Sequence, residues 1–459
     1  MNHIAEHPRC AIFAAPGSGK TGASLVSLQG INLLDEGPGL ILAPRRVAQR
    51  TWPMEAAKWD GLNVTVVAIK GDASQRARCL KRKADFFTIN YEQLPWLVEH
   101  LGDAWPFRTI IADESTRLKG FRLRQGGART KALAKVAWRD DVARFILLTG
   151  TPSPNGIKDL WGQLWFLDKG ERLGRTFDSF ASRWFRPSWD GYGVEPFKHS
   201  QNEIENLIKD ICITIDPADY IPIDLPIESV VEVELPPAAR ALYDVMEREM
   251  FLEFDGKEIE AVNAAARTSK CLQLANGAVY DPSGAWSEVH DVKLDALESI
   301  IEESGGMPVL VSYQFKSDLA RIRKRFPKAV TLDDITVEQF ASGRYPILCG
   351  HPASMGHGVD GLQDGTNILV DFSSGWNLEY DMQIIERIGP LRQVQSGHKR
   401  PVYRYRIVAV DTVDEMVALR RETKATVQSI LLDALNRRLS GAAAPAVQQS
   451  CKLSQQLLS

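Results

Sequence analysis

The sequence has little of three features that would place it in a special class of protein. It contains only 6 cysteines in 459 residues, and no two of them form a C-x-x-C pair. A disulfide framework or a cysteine zinc site is therefore not expected. No apolar run approaches the roughly 20 residues of a membrane-spanning helix, and the N-terminus has no signal-peptide pattern. The net charge of −3 excludes a polycation. We expect a cytoplasmic protein whose affinity for polyanions depends on local basic surfaces.

What is present is a regular alternation of apolar runs and helical patterns in both halves of the chain. Such alternation predicts an α/β protein with parallel sheets that carry helices on both faces. Prolines 217, 222 and 226 interrupt the pattern. We therefore predict an N-terminal lobe over 1–215, a connection over 216–226 and a C-terminal lobe over 227–438. The second lobe contains a small helical excursion over 238–290, and a flexible tail follows over 439–459.

A glycine-rich loop near the N-terminus predicts a nucleoside triphosphate site. It follows an apolar strand and precedes a helical pattern, so backbone N–H groups and the helix N-terminus can bind phosphate. Ala14 stands where such loops usually begin with glycine. The predicted ligands of ATP in this loop are Pro16, Gly17, Ser18, Gly19, Lys20 and Thr21. Lys20 is expected to reach the outer phosphates, and Thr21 to offer its hydroxyl to Mg²⁺.

Two adjacent carboxylates follow a later apolar strand, at Asp113 and Glu114. Beside a phosphate loop, an aspartate in this position holds Mg²⁺, and the glutamate polarises or deprotonates the attacking water. Asp113 is therefore predicted as a metal ligand and a catalytic residue, and Glu114 as a catalytic residue. The hydroxyls of Thr149 and Thr151, after another strand, are candidates for sensing the γ-phosphate.

A stretch without acidic residues follows the carboxylates. Between 116 and 139 the charged residues are all basic: Arg117, Lys119, Arg122, Arg124, Arg129, Lys131, Lys135 and Arg139. This composition suits a surface that follows a nucleic-acid backbone. A solvated helix and loop is the alternative interpretation.

These motifs, in this order, resemble the motors of superfamily-two DEAD/DEAH-like helicases. The resemblance rests on four segments: Ala15-Pro16-Gly17-Ser18-Gly19-Lys20-Thr21, Leu42-Ala43-Pro44, Asp113-Glu114-Ser115 and Thr149-Gly150-Thr151-Pro152. The following Ser153-Pro154-Asn155-Gly156, with Leu160-Trp161, is similar to the Swi/Snf-like branch, and the proportions resemble compact bacteriophage members. The resemblance implies two RecA-like lobes in tandem that hydrolyse ATP between them.

The resemblance also implies functional residues in the second lobe. The loop after Cys349 matches the motif that contacts both nucleotide and nucleic acid, which makes Asp360 a candidate nucleotide ligand. The last motif of the family has a second arginine three residues after the first. Here Arg387 matches the first, whereas Pro390 occupies the place of the second. We predict that Arg387 is catalytic and that Arg392 supplies the displaced guanidinium at the γ-phosphate.

The sequence therefore predicts an ATP-dependent DNA helicase or translocase that uses ATP and Mg²⁺, with a phage-encoded role in replication, recombination or repair. Its expected partner is DNA, with duplex or branched DNA favoured, and replication or recombination proteins are further candidates. Two alternatives stay open. One is an ATP-gated DNA-binding or annealing protein without processive unwinding, and the other is a small-molecule kinase, whose second-lobe motifs would have no use.

Overall fold

A computed structural model describes residues 2–14, 18–32, 37–124, 126–154, 156–187, 194–215, 222–254, 261–355 and 359–423. The chain divides into two compact units, Met1–Pro222 and Ile223–Ser459. Within the described residues, no helix combines the length and apolarity needed to cross a membrane.

The strands and helices follow one another along the chain in both units. The strands are β1 (Arg9–Ala14), β2 (Gly39–Ala43), β3 (Val66–Ala68), β4 (Phe86–Asn90), β5 (Thr109–Asp113), β6 (Arg144–Thr149), β7 (Phe185–Pro187), β8 (Val194–Pro196), β9 (Cys212–Ile215), β10 (Ile227–Val233), β11 (Ala278–Tyr280), β12 (Trp286–Glu288), β13 (Val309–Ser312), β14 (Ala329–Val330), β15 (Ile347–Gly350), β16 (Ile368–Asp371) and β17 (Tyr403–Ala409). The α-helices are α1 (Asn2–Glu6), α2 (Lys20–Asn32), α3 (Trp52–Lys58), α4 (Ala73–Leu80), α5 (Leu94–Leu101), α6 (Ala128–Val136), α7 (Leu160–Asp168), α8 (Phe177–Trp184), α9 (Ser200–Ile208), α10 (Pro237–Phe254), α11 (Ala261–Ala275), α12 (Val292–Glu303), α13 (Lys316–Arg325), α14 (Val337–Ala341), α15 (Pro352–Met355), α16 (Leu362–Gly365), α17 (Leu378–Ile385), α18 (Pro390–Gln395) and α19 (Val413–Thr423).

The first unit is built on a seven-stranded sheet with the order β3-β4-β2-β5-β6-β1-β9, and every neighbouring pair is parallel. Side chains along each strand alternate between two faces, and both faces are covered. Leu28 and Trp52, from α2 and α3, belong to the core on one face, whereas Leu94 and Trp161, from α5 and α7, belong to the core on the other. Burial on both faces explains why β2 and β4 are buried at every residue.

The second unit repeats this plan with a six-stranded sheet in the order β10-β17-β16-β13-β15-β14, again parallel throughout. Leu297 of α12 packs with Val309 on one face, and Phe340 of α14 packs with Leu310 on the other. Both sheets are doubly wound, as predicted. The expected fold class is therefore confirmed.

The predicted excursion in the second unit contains α10 and α11 and then an antiparallel hairpin, β11–β12. The hairpin was not predicted from the sequence, although its turn contains the aspartate, serine and glycine that are typical of turns. Oδ1 of Asp281 accepts the N–H of Ser283 at 2.8 Å, and Gly284 has φ +88°. In the predicted connection, residues 222–226 form no regular element, and 216–221 lie outside the described residues, as does the predicted tail over 439–459.

Helix α9 corrects a prediction made from the Ser200-x-x-Glu203 pattern. The pattern predicts a capping box, but Ser200 instead donates its hydroxyl proton to the carbonyl oxygen of Trp184. Glu203 accepts a hydrogen bond of 3.0 Å from the Trp184 indole. A fully buried tryptophan requires a partner for its N–H, and here this requirement takes precedence over capping. The helix ends at Ile208, and the chain then forms strand β9 beside β1.

Candidate functional site

The predicted phosphate loop connects β1 to α2. The Lys20 ammonium, at the first residue of α2, donates a hydrogen bond to the carbonyl oxygen of Ala14, the last residue of β1. Gly19 has φ +77°, a left-handed conformation that favours glycine, and a Cβ there would meet no atom within 4 Å. Backbone conformation therefore selects glycine at this position, rather than lack of space. The loop leads directly into the N-terminus of α2, where an anion is stabilised.

Two hydroxyl groups flank Lys20. Ser18 Oγ is buried and has no hydrogen-bond partner among the residues that the structure describes. Such an orphaned hydroxyl is satisfied when a ligand oxygen binds beside it. Thr21 is half-buried in the first turn of α2, and the predicted ligands Pro16 and Gly17 lie outside the described residues.

Asp113 lies at the carboxyl end of β5. Its Oδ2 accepts a hydrogen bond of 2.8 Å from the indole N–H of Trp52, and its Oδ1 accepts the N–H of Glu114 at 3.1 Å. Burial raises the pKa of the Asp113 carboxyl, while the Trp52 hydrogen bond and the nearby charge of Lys20 act in the opposite direction. The net effect is a raised pKa, because these favourable interactions do not fully offset the cost of burying the ionised carboxylate.

Glu114 follows with φ +57°, an unusual backbone conformation for a residue with a side chain. Its Oε1 accepts hydrogen bonds from the hydroxyls of Thr116 at 2.9 Å and Thr149 at 3.1 Å. Thr149 ends β6, and its Oγ1 accepts the N–H of Thr151 at 3.1 Å. These hydrogen bonds connect Glu114 to the loop after β6. The sequence predicts Glu114 as catalytic and the hydroxyls of that loop as sensors of the γ-phosphate.

Two residues at this site were missed in the sequence. Trp52 orients Asp113, and Gln163 of α7 accepts a hydrogen bond of 2.7 Å from the hydroxyl of Ser115. Both side chains are fully buried. Each of these residues carries polar atoms within an apolar sequence pattern. Such a residue needs a hydrogen-bond partner when it is buried, and this requirement is the sequence signal that could have identified both.

The donor set fits Mg²⁺ bound together with a nucleotide. Among the described residues, no three His, Cys, Asp or Glu side chains form a metal-binding group. Mg²⁺ is typically held by one or two carboxylates together with water and substrate phosphates. Asp113 and Thr21 supply a carboxylate and a hydroxyl of this kind. A cation beside Asp113 would also offset the burial that raises its pKa.

The candidate residues of the second unit form their own cluster. Arg392 forms an ion pair with Asp360, so the structure brings two of the predicted residues into contact. Arg387 donates hydrogen bonds to the carbonyl oxygens of Val359 at 3.1 Å and Gln383 at 3.3 Å. The roles of Asp360, Arg387 and Arg392 toward a nucleotide stay predictions.

Pro390, which stands in place of the expected arginine, has a structural role. It is the first residue of α18, with Gly389 at the N-cap. Proline suits this position because its fixed φ matches the helix and its missing N–H would have no intrahelical partner. Arg392 therefore lies in the first turn of a helix that begins where the usual motif has its arginine.

Several cations of the basic stretch after Glu114 interact with other side chains of the first unit. Arg117 and Arg129 both pair with Glu92, with N–O distances of 3.7 and 2.9 Å. The Arg122 guanidinium lies 3.4 Å from the ring centroid of Phe177. Arg124, Lys131 and Lys135 are exposed. The nucleic-acid surface therefore stays a prediction, with Arg124, Lys131 and Lys135 as its exposed cations.

Comparisons with known proteins identify a family and several similar proteins. Residues 5–282 match the family described as SNF2-related domain. The chain is 52% identical over 449 residues to protein p41 of Acyrthosiphon pisum secondary endosymbiont phage 1, covering 95% of this chain and 97% of that protein. It is 23% identical over 450 residues to the DNA repair and recombination protein RAD54-like of Gallus gallus, covering 86% of this chain but only 59% of that relative.

A solved structure supports the fold. The helicase domain of Hef from Pyrococcus furiosus is 13% identical, with a TM-score of 0.50, and the match covers 92% of this chain and 97% of that domain. At this identity the likeness shows the fold and nothing further. Together with the two doubly wound sheets, it identifies two RecA-like lobes in tandem.

Proposed function

Because the chain belongs to the SNF2-related domain family, we propose that it is a DNA-stimulated ATPase that acts as a helicase-type translocase on DNA. One observation carries the proposal: Lys20, Asp113 and Glu114 stand at the carboxyl ends of β1 and β5, and Glu114 is hydrogen-bonded to Thr149 at the end of β6. Strands β5, β6 and β1 are neighbours in the sheet. In open parallel sheets, ligands bind beyond the carboxyl ends of such strands.

Each residue has a defined part in the proposed hydrolysis of ATP. The Lys20 ammonium neutralises charge on the outer phosphates, and the N-terminus of α2 adds positive potential. Asp113 and Thr21 would hold Mg²⁺, which supplies charge neutralisation at the phosphates when bound. Glu114 orients the attacking water and accepts its proton on the carboxylate. The hydroxyls of Thr116 and Thr149 hold that carboxylate in one orientation.

We also propose that three residues of the second unit act on the nucleotide: Arg387, Arg392 and Asp360. We assign Arg392 to the charge that develops on the γ-phosphate and Asp360 to the nucleotide, so that hydrolysis depends on both units. Repeated hydrolysis would then move the protein along one strand of duplex DNA. The similarity to phage p41 supports a phage origin. For such a protein we propose a role in replication, recombination or repair in the cytoplasm of the host cell.

The decisive test is the ATPase rate of the purified chain with duplex DNA, single-stranded DNA and RNA. Duplex DNA should increase the rate, while Lys20→Ala should abolish hydrolysis and Glu114→Gln should abolish hydrolysis but retain ATP binding. Displacement of a triplex strand then identifies a translocase, and a forked duplex measures unwinding. DNA-stimulated hydrolysis without displacement would indicate an ATP-gated binding protein. A wild-type rate that no nucleic acid changes would overturn the proposal.

A further inference from the structure

Gln163 of α7 connects two loops of the candidate site. Its side chain is fully buried. Its Oε1 accepts the hydroxyl proton of Ser115 at 2.7 Å, and its Nε2 donates to the carbonyl oxygens of Pro152 at 2.6 Å and Asp159 at 2.9 Å. Ser115 directly follows Glu114, and Pro152 lies in the loop after Thr149. One amide group therefore contacts both segments that hold the proposed catalytic glutamate.

The backbone of α7 approaches the same turn closely. A Cβ on Gly162 would lie 2.7 Å from the carbonyl oxygens of both Leu118 and Lys119, which no side chain can accommodate without a backbone shift. The residue before Gly162, Trp161, stacks on Phe121 with ring centroids 6.0 Å apart and an interplanar angle of 9°. Residues 161–163 are thus packed against the chain that follows Glu114, and a displacement of that turn must displace α7.

The backbone at Glu114 needs such support. Its φ of +57° is costly for a residue with a Cβ and persists only where neighbouring structure holds it. The Ser115–Gln163 hydrogen bond fixes the next residue, and the Thr149–Glu114 hydrogen bond fixes the carboxylate. The contact from Gln163 to Pro152 connects these two constraints, because it joins the loops that follow the neighbouring strands β5 and β6.

We propose that Gln163 is a positioning residue for hydrolysis: it holds the turn at Glu114 and the loop after Thr149 in one arrangement and transmits changes in that arrangement to α7. This inference rests on the proposed function. Gln163 touches neither nucleotide nor water in this scheme. It acts through Ser115 and Pro152.

The test replaces Gln163 with methionine, which has a similar length and no hydrogen-bonding amide. Gln163→Met should lower the DNA-stimulated kcat about tenfold, with the KM for ATP changed less than about twofold, because ground-state binding through Lys20 is retained. Gln273→Met is the matched control, since Gln273 is also a buried, hydrogen-bonded glutamine but lies in the second unit. It should leave both constants unchanged.

Two further measurements separate positioning from a general loss of structure. The double variant Ser115→Ala/Gln163→Met should be no slower than Gln163→Met, because the Ser115–Gln163 hydrogen bond that Ser115→Ala removes is already absent in Gln163→Met. Amide hydrogen exchange at residues 114–116 and at Thr151 and Ser153 should be about tenfold faster in Gln163→Met without nucleotide. An unchanged kcat, unchanged exchange or an equal loss in Gln273→Met would overturn the inference. If the wild type hydrolyses no ATP, the proposed function fails, and the exchange result alone still decides whether Gln163 holds the two loops.

Discussion

The indole N–H of Trp52 donates a hydrogen bond of 2.8 Å to Oδ2 of Asp113. The two residues are 61 positions apart in the chain, but the sheet brings them together because β2, which precedes Trp52, pairs with β5, which ends at Asp113. Trp52 is fully buried. It therefore aims the carboxylate and supplies one of the few interactions that favour its ionised form.

Trp52→Phe should raise the Mg²⁺ concentration that the ATPase needs. Phenylalanine retains the buried ring but removes the donor, so the pKa of Asp113 should rise further and the ionised carboxylate becomes less favourable. A hydrogen bond to a charged group contributes about 1.5 kcal/mol or more, so we expect the Mg²⁺ concentration for half-maximal ATPase to rise roughly tenfold. Trp184→Phe removes a similar indole hydrogen bond, to Glu203, in the same unit. Equal Mg²⁺ titrations for the two variants would contradict the role of Trp52.

Thr149→Val should slow hydrolysis more than it affects ATP binding. Valine retains the shape of the strand end but cannot donate to Oε1 of Glu114, so the carboxylate loses the Thr149 hydroxyl while it keeps that of Thr116. We expect kcat to fall roughly tenfold with KM nearly unchanged, measured by steady-state ATPase with saturating duplex DNA. Thr109→Val is the control, because the buried Thr109 hydroxyl has no partner among the described residues and lies at the opposite end of β5. A comparable loss of kcat in both variants would argue against a specific role for Thr149.

The sequence predicts the sheets well because their strands are buried on both faces. The runs Gly39–Ala43 and Phe86–Asn90 are short, buried throughout and followed by turn or helix signals. Strand β9 gives no such signal. It has four residues at the edge of the sheet and is only partly buried, and the preceding Ile211 continues the apolar stripe of α9. The period-3.6 pattern therefore continues past the end of the helix at Ile208 and reaches the residue before the strand.

The site is predictable only where its chemistry is local in sequence. Lys20 and Asp113 occur within short motifs whose residue types follow from phosphate and metal binding. Trp52 and Gln163 act through hydrogen bonds over 61 and 48 positions. Their partners depend on the strand order, which no single segment encodes.

Arg392→Ala and Arg387→Ala should have different effects although the two arginines are neighbours. Arg392 is buried and forms an ion pair with the largely exposed side chain of Asp360. Its proposed role at the γ-phosphate predicts a loss of DNA-stimulated ATPase of about a hundredfold or more. Arg387 is also predicted to be catalytic, and it donates a hydrogen bond to the carbonyl oxygen of the buried Val359. Its removal should therefore lower the free energy of unfolding by about 1–3 kcal/mol in addition to slowing hydrolysis. If Arg392→Ala hydrolyses ATP as fast as the wild type in the presence of DNA, its assignment is wrong.

His290 should make the stability of the second unit depend on pH. The side chain is buried, and its ring nitrogen Nε2 lies 2.8 Å from the carbonyl oxygen of Leu274, so we assign the proton to Nε2. Burial, helped by the charges of Arg321 and Lys293, lowers the pKa of His290 from 6.5 to about 4. Between these values the unfolded chain binds a proton that the folded chain does not. The stability linked to the neutral His290 is therefore fully present above about pH 6.5, and it is lost as the pH falls toward about 4.

The loss should reach about 3 kcal/mol across that window, because each pKa unit corresponds to about 1.4 kcal/mol. Guanidinium unfolding of the wild type and of His290→Gln, followed by circular dichroism at about pH 7 and about pH 5, measures the part of the loss above pH 5, about 2 kcal/mol. Glutamine can still donate to the Leu274 carbonyl but does not titrate, so the variant should lose less stability than the wild type between the two pH values. Parallel losses in the two proteins would show that the proton is taken up elsewhere, and that burial of His290 does not set the acid sensitivity of this unit.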